Sequence, residues 1–325
     1  MIDCGLLSRR TFLASSSLAV GGCACGTRVV PVTRPDPAVF EACGTQRSIK
    51  VLTWNIFMMP PWVGESPNND PRAAAIASTL LEHDFDILCF QKAFDGSART
   101  ILQQALAGRF PHSYGPANES AVFLNSGVLV LSRHPLTDYQ EIVFHDCSSA
   151  ECLSKKGALL VSGTCGKTPF RLIATHLQGE EGNSFTELNQ SIRDAQMVEI
   201  RDRLITPHLE PRVPFIICGD FGTPRFANPA RDETPSYRQM LATLGVDEIA
   251  ETLLTLDEQN NELVAANATG RRNEVDYIFV RQNGFELSIA RQRLILRRAG
   301  WDPVSHRTDL SYHYAIGAEL RFGPA

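Results

Sequence analysis

The 325-residue sequence has no run of about 18 consecutive apolar residues, so no segment is suited to cross a bilayer as a helix. It also lacks the cysteine and histidine spacings of a zinc module. Its cysteines are Cys4, Cys23, Cys25, Cys43, Cys89, Cys147, Cys152, Cys165 and Cys218. No stripe of lysine and arginine is present, and the formal net charge is -5. A broad basic surface for a polyanion such as nucleic acid is therefore disfavoured, although phosphate chemistry needs only a few local cations. No internal repeat occurs, and no low-complexity tract beyond the N-terminal region. Strands and helices mix without regular βαβ alternation, which argues for packed sheets flanked by helices rather than a doubly wound parallel sheet.

What remains is ordinary globular material, 43% hydrophobic and 21% charged, enough for one large domain or two small ones. The N-terminus reads as an address. Ser8-Arg9-Arg10-Thr11-Phe12-Leu13 precedes a short, mildly apolar stretch, as in a twin-arginine export signal. Val20-Gly21-Gly22-Cys23 is similar to a bacterial lipobox, in which Cys23 would receive lipid. The bland account is a disordered terminus with chance arginines. Residues 1–22 are thus expected to be a signal, 23–47 a tether, and 48–325 the domain. The expected location is the periplasm or cell envelope, with lipid anchoring at Cys23.

From Ser48 onward, strands are expected at 49–55, 86–91, 126–132, 157–163, 170–176, 214–219, 275–280 and 313–320. Helices are expected at 71–83, 97–108, 186–206 and 235–244, with Pro71 suited to a helix start. Leu188, Ile192, Met197, Ile200 and Leu204 form one apolar stripe in the long helix. Cys89 and Cys218 sit in apolar runs and are expected to be buried thiols. Cys147 and Cys152 lie in a polar segment and either pair or remain as solvated thiols.

Polar residues punctuate the strand ends: Asn55, Gln91 with Lys92, His176, Asp220 and His313. Each alone has a structural account. Asn55 suits a turn, Asp220 a cap and His176 a satisfied core histidine. Their order is more specific. TWN at 53–55, CFQKAFD at 89–95, NSGVLVLSRHP at 125–135, ATHLQ at 174–178, GDFGTP at 219–224, VDYIF at 275–279 and DLSYHY at 309–314 resemble the motif series of the endonuclease/exonuclease/phosphatase superfamily. THLQ with Arg193 and Gln196, and Lys156-Gly157 preceded by Glu151, are similar to its neutral sphingomyelinase branch.

The resemblance implies a four-layered α/β/β/α sandwich of the deoxyribonuclease I type, with two mixed sheets flanked by helices. It implies cleavage of a phosphodiester with Mg²⁺, a phospholipid being the expected substrate. A monomer is expected, and the acidic balance argues against a specific nucleic acid as partner. His313 matches the general base, Asp276 its orienting carboxylate and His176 the phosphate-binding histidine. Asn55 matches the support of metal and phosphate, and Asp220 the carboxylate that positions water and ligates the metal. Lys156 is a candidate phosphate contact or loop switch, beside the equal reading of a solvated lysine.

Three positions depart from that pattern. Lys92 stands where the principal metal-binding glutamate is implied, Gly222 where asparagine is implied, and Tyr312 where aspartate is implied. Three carboxylates at Lys92, Asp220 and Tyr312 are thereby reduced to one, and ordinary Mg²⁺ binding is put in doubt. Either Lys92 replaces the metal as a phosphate-binding point charge and contributes to an altered hydrolase, or catalysis is lost and the fold binds a phosphate-bearing ligand. A nuclease of the same superfamily is a further alternative, with Arg271-Arg272 and Arg297-Arg298 as the clearest arginine doublets, though these read as solvated surface. Glu119, Glu180 and Glu181 are candidate compensating ligands.

Overall fold

A computed structural model describes residues 47–63, 68–116, 124–180, 185–227, 232–264 and 270–323. The expectations for residues 1–46, Cys23 included, and for Glu119 and Glu181 lie outside the described residues. No helix among the described residues is long and apolar enough to cross a membrane.

The strands are β1 (Ser48–Met58), β2 (Ile87–Ala93), β3 (His112–Tyr114), β4 (Leu129–Ser132), β5 (Thr137–Val143), β6 (Gly157–Cys165), β7 (Thr168–His176), β8 (Phe215–Asp220), β9 (Leu256–Asp257), β10 (Arg272–Asn273), β11 (Asp276–Arg281), β12 (Leu287–Leu294) and β13 (Ala315–Phe322). The helices are α1 (Asn69–Leu80), α2 (Gly96–Leu106), α3 (Glu187–Ile200) and α4 (Pro235–Leu244). One six-stranded sheet runs β12-β13-β1-β2-β4-β3 and one five-stranded sheet runs β11-β8-β7-β6-β5. Only β1–β2 and β7–β8 pair in parallel within these two sheets.

Strand alternation builds three apolar interfaces and hence four layers. Leu52, Trp54, Ile56 and Met58 face α1 and α2. Ile49 and Val51 face the other way, into a core shared with Leu172, Ala174, Ile216, Cys218, Ile278 and Val280 of the second sheet. The opposite face of that sheet, including Ile173, Ile217, Tyr277 and Phe279, packs on α3 and α4. The architecture is the four-layer α/β sandwich expected from the sequence.

Several expectations require correction. Pro71 does not open α1. Asn68 precedes the helix and Pro71 takes its third position, where the backbone nitrogen still needs no intrahelical partner. Leu188 is 63% exposed and does not belong to the stripe, whereas Ile192, Met197, Ile200 and Leu204 are buried. The expected helix 186–206 ends its α segment at Ile200, and a π turn at Arg201–Ile205 continues its path. The last strand begins at Ala315, so His313 precedes it and bridges Leu256. The arginine doublets do lie at the surface, with Arg272 and Arg297 exposed, and each arginine also has an ion-pair partner: Arg271 with Glu258, Arg272 with Asp257, Arg297 with Asp309 and Arg298 with Glu82.

Candidate functional site

Three expected residues lie in one register row. Asp220 is opposite His176 in the parallel β7–β8 pair and opposite Asp276 in the antiparallel β8–β11 pair. All three continue the alternation that puts Leu172, Ala174, Ile216, Cys218, Ile278 and Val280 between the sheets. The inter-sheet core therefore changes from apolar to polar at one end of the sandwich. Asn55 does the same on β1, two residues beyond Thr53 and four beyond Val51.

His313 is supplied by the segment before β13, and the Trp54 indole donates to its carbonyl oxygen at 2.8 Å. Its Nδ1 lies 2.7 Å from Asp276 Oδ2. One ligand-type atom from each of Asp220, Asp276 and His313 falls within 4.8 Å of the others. Burial lowers the proton affinity of His313, but the Asp276 and Asp220 charges prevail and raise it above its ordinary value. Burial likewise raises Asp276, with His313 opposing and Asp220 adding to the shift. On the other side of the row, His176 Nε2 is 3.8 Å from Asp220 Oδ2. Burial first, then the Lys156, Lys92 and His313 charges, drive His176 well below its ordinary value. The rings of residues 176 and 313 thus address the same carboxylate.

Lys156 is fully engaged. Its ammonium contacts His176 Nε2 at 3.0 Å, donates to Leu177 O at 2.6 Å and pairs with Glu151. An ammonium has three hydrogens and no lone pair, so His176 Nε2 accepts and Lys156 has none left for a ligand in this arrangement. Burial opposes the charge of Glu151, yet Lys156 and Lys92 outweigh it and bring its carboxyl down to about 2. Cys147 and Cys152 are disulfide-bonded, one just before and one within that glutamate's turn at Ser149–Leu153. Cys89 and Cys218 are buried thiols, as expected. Glu180 does not reach the cleft; it pairs with Arg193 at 2.8 Å.

The departures are arranged as a unit. Lys92 has left-handed backbone, φ 53°, and breaks the alternation between Phe90 and Ala93, both of which face the helices. Its ammonium lies 5.0 Å from the centre of the Phe57 ring, and Phe57 is also left-handed, φ 49°. Two such non-glycine residues side by side mark stored strain of a kind that clusters at functional sites. The Phe57 ring meets Tyr312 at 5.8 Å, and the Tyr312 hydroxyl donates to Glu258 at 2.8 Å. Gly222 has φ 60°, and a Cβ there would stand 2.7 Å from Gln178 O and 3.3 Å from Arg193 Cδ.

These residues do not fit a magnesium ion. The expected ligands Asn55 and Asp220 are bonded to each other, Nδ2 to Oδ2 at 2.7 Å, and the other Asp220 oxygen accepts from Gly222 N at 3.0 Å. Asp276 gives Oδ2 to His313 and keeps Oδ1 as a buried oxygen without a hydrogen-bond partner among the described residues, the single orphaned carboxylate oxygen beside Asp220. Tyr312 points to Glu258, and an ammonium stands at the position of the implied glutamate. A small hard dication that demands near-octahedral oxygen ligation finds no open set of carboxylates here.

Sequence reasoning missed the supports of the site. Arg72 is fully buried and donates to Ile56 O at 2.6 Å, Phe57 O at 2.6 Å and Leu310 O at 2.9 Å, tying the end of β1 to the segment before His313. The Ser311 hydroxyl donates to Asn55 O. Neither role has a local sequence signal, because each joins segments more than 200 residues apart. Ser311 did lie within a motif already singled out.

The family model described as the endonuclease/exonuclease/phosphatase family matches residues 52–296. Sphingomyelinase C 2 of Leptospira interrogans is 26% identical over 296 residues, covering 82% of this chain and 45% of that protein. The chain spans about half the length of the Leptospira relatives it matches. Phospholipase C of Staphylococcus aureus is 22% identical over 83% of this chain and 86% of its own. A crystal structure of a beta toxin variant from Staphylococcus aureus, with bound magnesium ions, shares the fold at a TM-score of 0.74 and 22% identity, covering 83% of this chain and 99% of that one. The chain belongs to the endonuclease/exonuclease/phosphatase family.

Proposed function

We propose that this chain is an exported phosphodiesterase-type hydrolase that cleaves a phospholipid head group, with sphingomyelin the first candidate. The carrying observation is the buried 2.7 Å contact of His313 Nδ1 with Asp276 Oδ2, beside Asp220. Asp276 accepts a hydrogen bond from His313 Nδ1–H, which keeps the proton on Nδ1 and leaves the Nε2 lone pair for a water molecule. The water oxygen forms a bond to phosphorus as the ester P–O bond breaks. Its proton passes to Nε2, and the departing alkoxide takes a proton from solvent. Asp220 orients the water, and Asn55 fixes Asp220 through its amide. The curated sphingomyelinase and phospholipase C relatives support this substrate class. The twin-arginine pattern at Arg9-Arg10 and the lipobox-like Cys23 support export and lipid anchoring.

One feature favours a second reading, a phosphate-binding protein without turnover: Gly222 offers no side-chain donor to the phosphoryl group. Loss of one such donor costs about 10²–10³-fold in rate elsewhere. The test is choline-phosphate release from sphingomyelin vesicles by purified protein, with and without Mg²⁺, alongside circular dichroism. Turnover abolished by His313→Ala supports the hydrolase. A folded protein without turnover in either condition supports the binder.

A further inference from the structure

We propose that the Lys92 ammonium is the resident cation of the cleft and receives the phosphoryl oxygen there without a divalent metal. This deepens the reading above and rests on it for the identity of the site.

The charge balance comes first. A glutamate with a bound dication carries one net positive charge, and so does one lysine. A single Glu-to-Lys exchange at the implied ligand position therefore reproduces the net charge of the loaded metal site at that corner. A metal in addition would meet an ammonium in a cleft of reduced dielectric, where like charges repel strongly.

Availability comes second. Lys156 has spent its three hydrogens on His176, Leu177 and Glu151. Arg193 is committed to Glu180, Gln190 and the Gln178 carbonyl. Lys92 is half-buried, and among the described residues no carboxylate lies within ion-pair distance of it. What holds it is the face of the Phe57 ring, an attraction that leaves its N–H bonds free for an anion.

Placement comes third. The Lys92 ammonium lies 5.0 Å from the Phe57 ring, Phe57 meets Tyr312 at 5.8 Å and Tyr312 meets the His313 ring at 5.8 Å, which places the charge beside the Asp220 row, where it opposes protonation of His176 and His313. The scaffold under it is built: Phe57 is braced by Tyr312, Tyr312 by Glu258, and Glu258 by Arg271 at 2.7 Å. Tyr312, itself a departure from the family pattern, thus acts as the brace for the lysine departure. As a compact point charge on a flexible stem, lysine suits a tetrahedral phosphoryl group that moves during reaction.

The test is calorimetric titration of the whole protein with phosphocholine in EDTA, and separately with MgCl₂, for wild type, Lys92→Gln, Lys92→Arg and Lys92→Glu. Circular dichroism and melting temperature establish that each variant is folded. Phosphocholine is expected to bind wild type in EDTA, to weaken about 10- to 100-fold in Lys92→Gln, the range of one charged hydrogen bond, and to recover partly in Lys92→Arg. Mg²⁺ is expected to bind wild type no better than millimolar. Micromolar Mg²⁺ binding by wild type, or unchanged phosphocholine affinity in folded Lys92→Gln, overturns the proposal. Ligand binding through Lys92 with no turnover of any lipid leaves this inference standing and removes the hydrolase reading. Turnover that requires Mg²⁺ and is indifferent to Lys92→Gln does the reverse.

Discussion

Replacing Asp276 by asparagine isolates the group that orients the general base. The carboxylate is buried and lies 2.7 Å from His313 Nδ1. It fixes the tautomer and stabilises the imidazolium formed when water loses its proton. A hydrogen bond to a charged group contributes about 1.5–3 kcal/mol, or roughly 10- to 100-fold in rate. Asparagine can also donate toward Nδ1 and select the wrong tautomer, an error that costs about 10⁴-fold in a serine protease triad. The expected fall in kcat is therefore about 10²–10⁴-fold. The pH dependence gives an independent sign. His313 acts as a base only when deprotonated, and Asp276 raises its proton affinity. The wild-type ascending limb should have its midpoint above the ordinary histidine value of 6.5, and Asp276→Asn should move residual activity to lower pH. Lys92 opposes that elevation, so Lys92→Gln should move the limb to higher pH. The assay is choline-phosphate release across pH 5–9, an interval about as wide as histidine titrations require. A variant within about threefold of wild type, or an unmoved limb, refutes the dyad, since even the weaker estimate exceeds that.

Arg72→Met should destabilise the protein by about 3–5 kcal/mol in urea unfolding, because two buried carbonyl oxygens and one half-buried one lose their donor. Glu151 has a lowered carboxyl pKa in the folded state, so its contribution is present above the unfolded value of 4.5 and is lost as pH falls toward about 2. Glu151→Gln should flatten the wild-type loss of stability in that window, measured as melting temperature against pH. Gly222→Ala should cost about 1–3 kcal/mol by thermal unfolding, since left-handed backbone and the close Gln178 carbonyl both oppose a Cβ.

The fold was legible where strands are buried on both faces. FIICGD and VDYIF read as strands because their apolar runs are short, β-branched and bounded by polar residues. β5, TDYQEIV, and β12, LSIARQRL, escaped because each is the outer strand of its sheet and carries many polar side chains to solvent. Leu188 was misread because helical spacing cannot distinguish the last buried turn from an exposed first one. The candidate residues were legible through their motif order, and the geometry unites Asn55, His176, Asp220, Asp276 and His313 around one carboxylate row. Glu151 and Lys156 were legible as neighbours in a motif, but the contacts of Lys156 with His176 and Leu177, and the brace from Tyr312 through Phe57 to Lys92, join distant segments and left no trace in local pattern.

The most direct measurement of the central claim is single-turnover hydrolysis of sphingomyelin in EDTA by wild type and His313→Ala, with melting temperatures recorded for both. Measurable cleavage by wild type, reduced at least about 10²-fold in a folded His313→Ala protein, is the predicted result. Equal cleavage by the two proteins, or none by folded wild type, would contradict it.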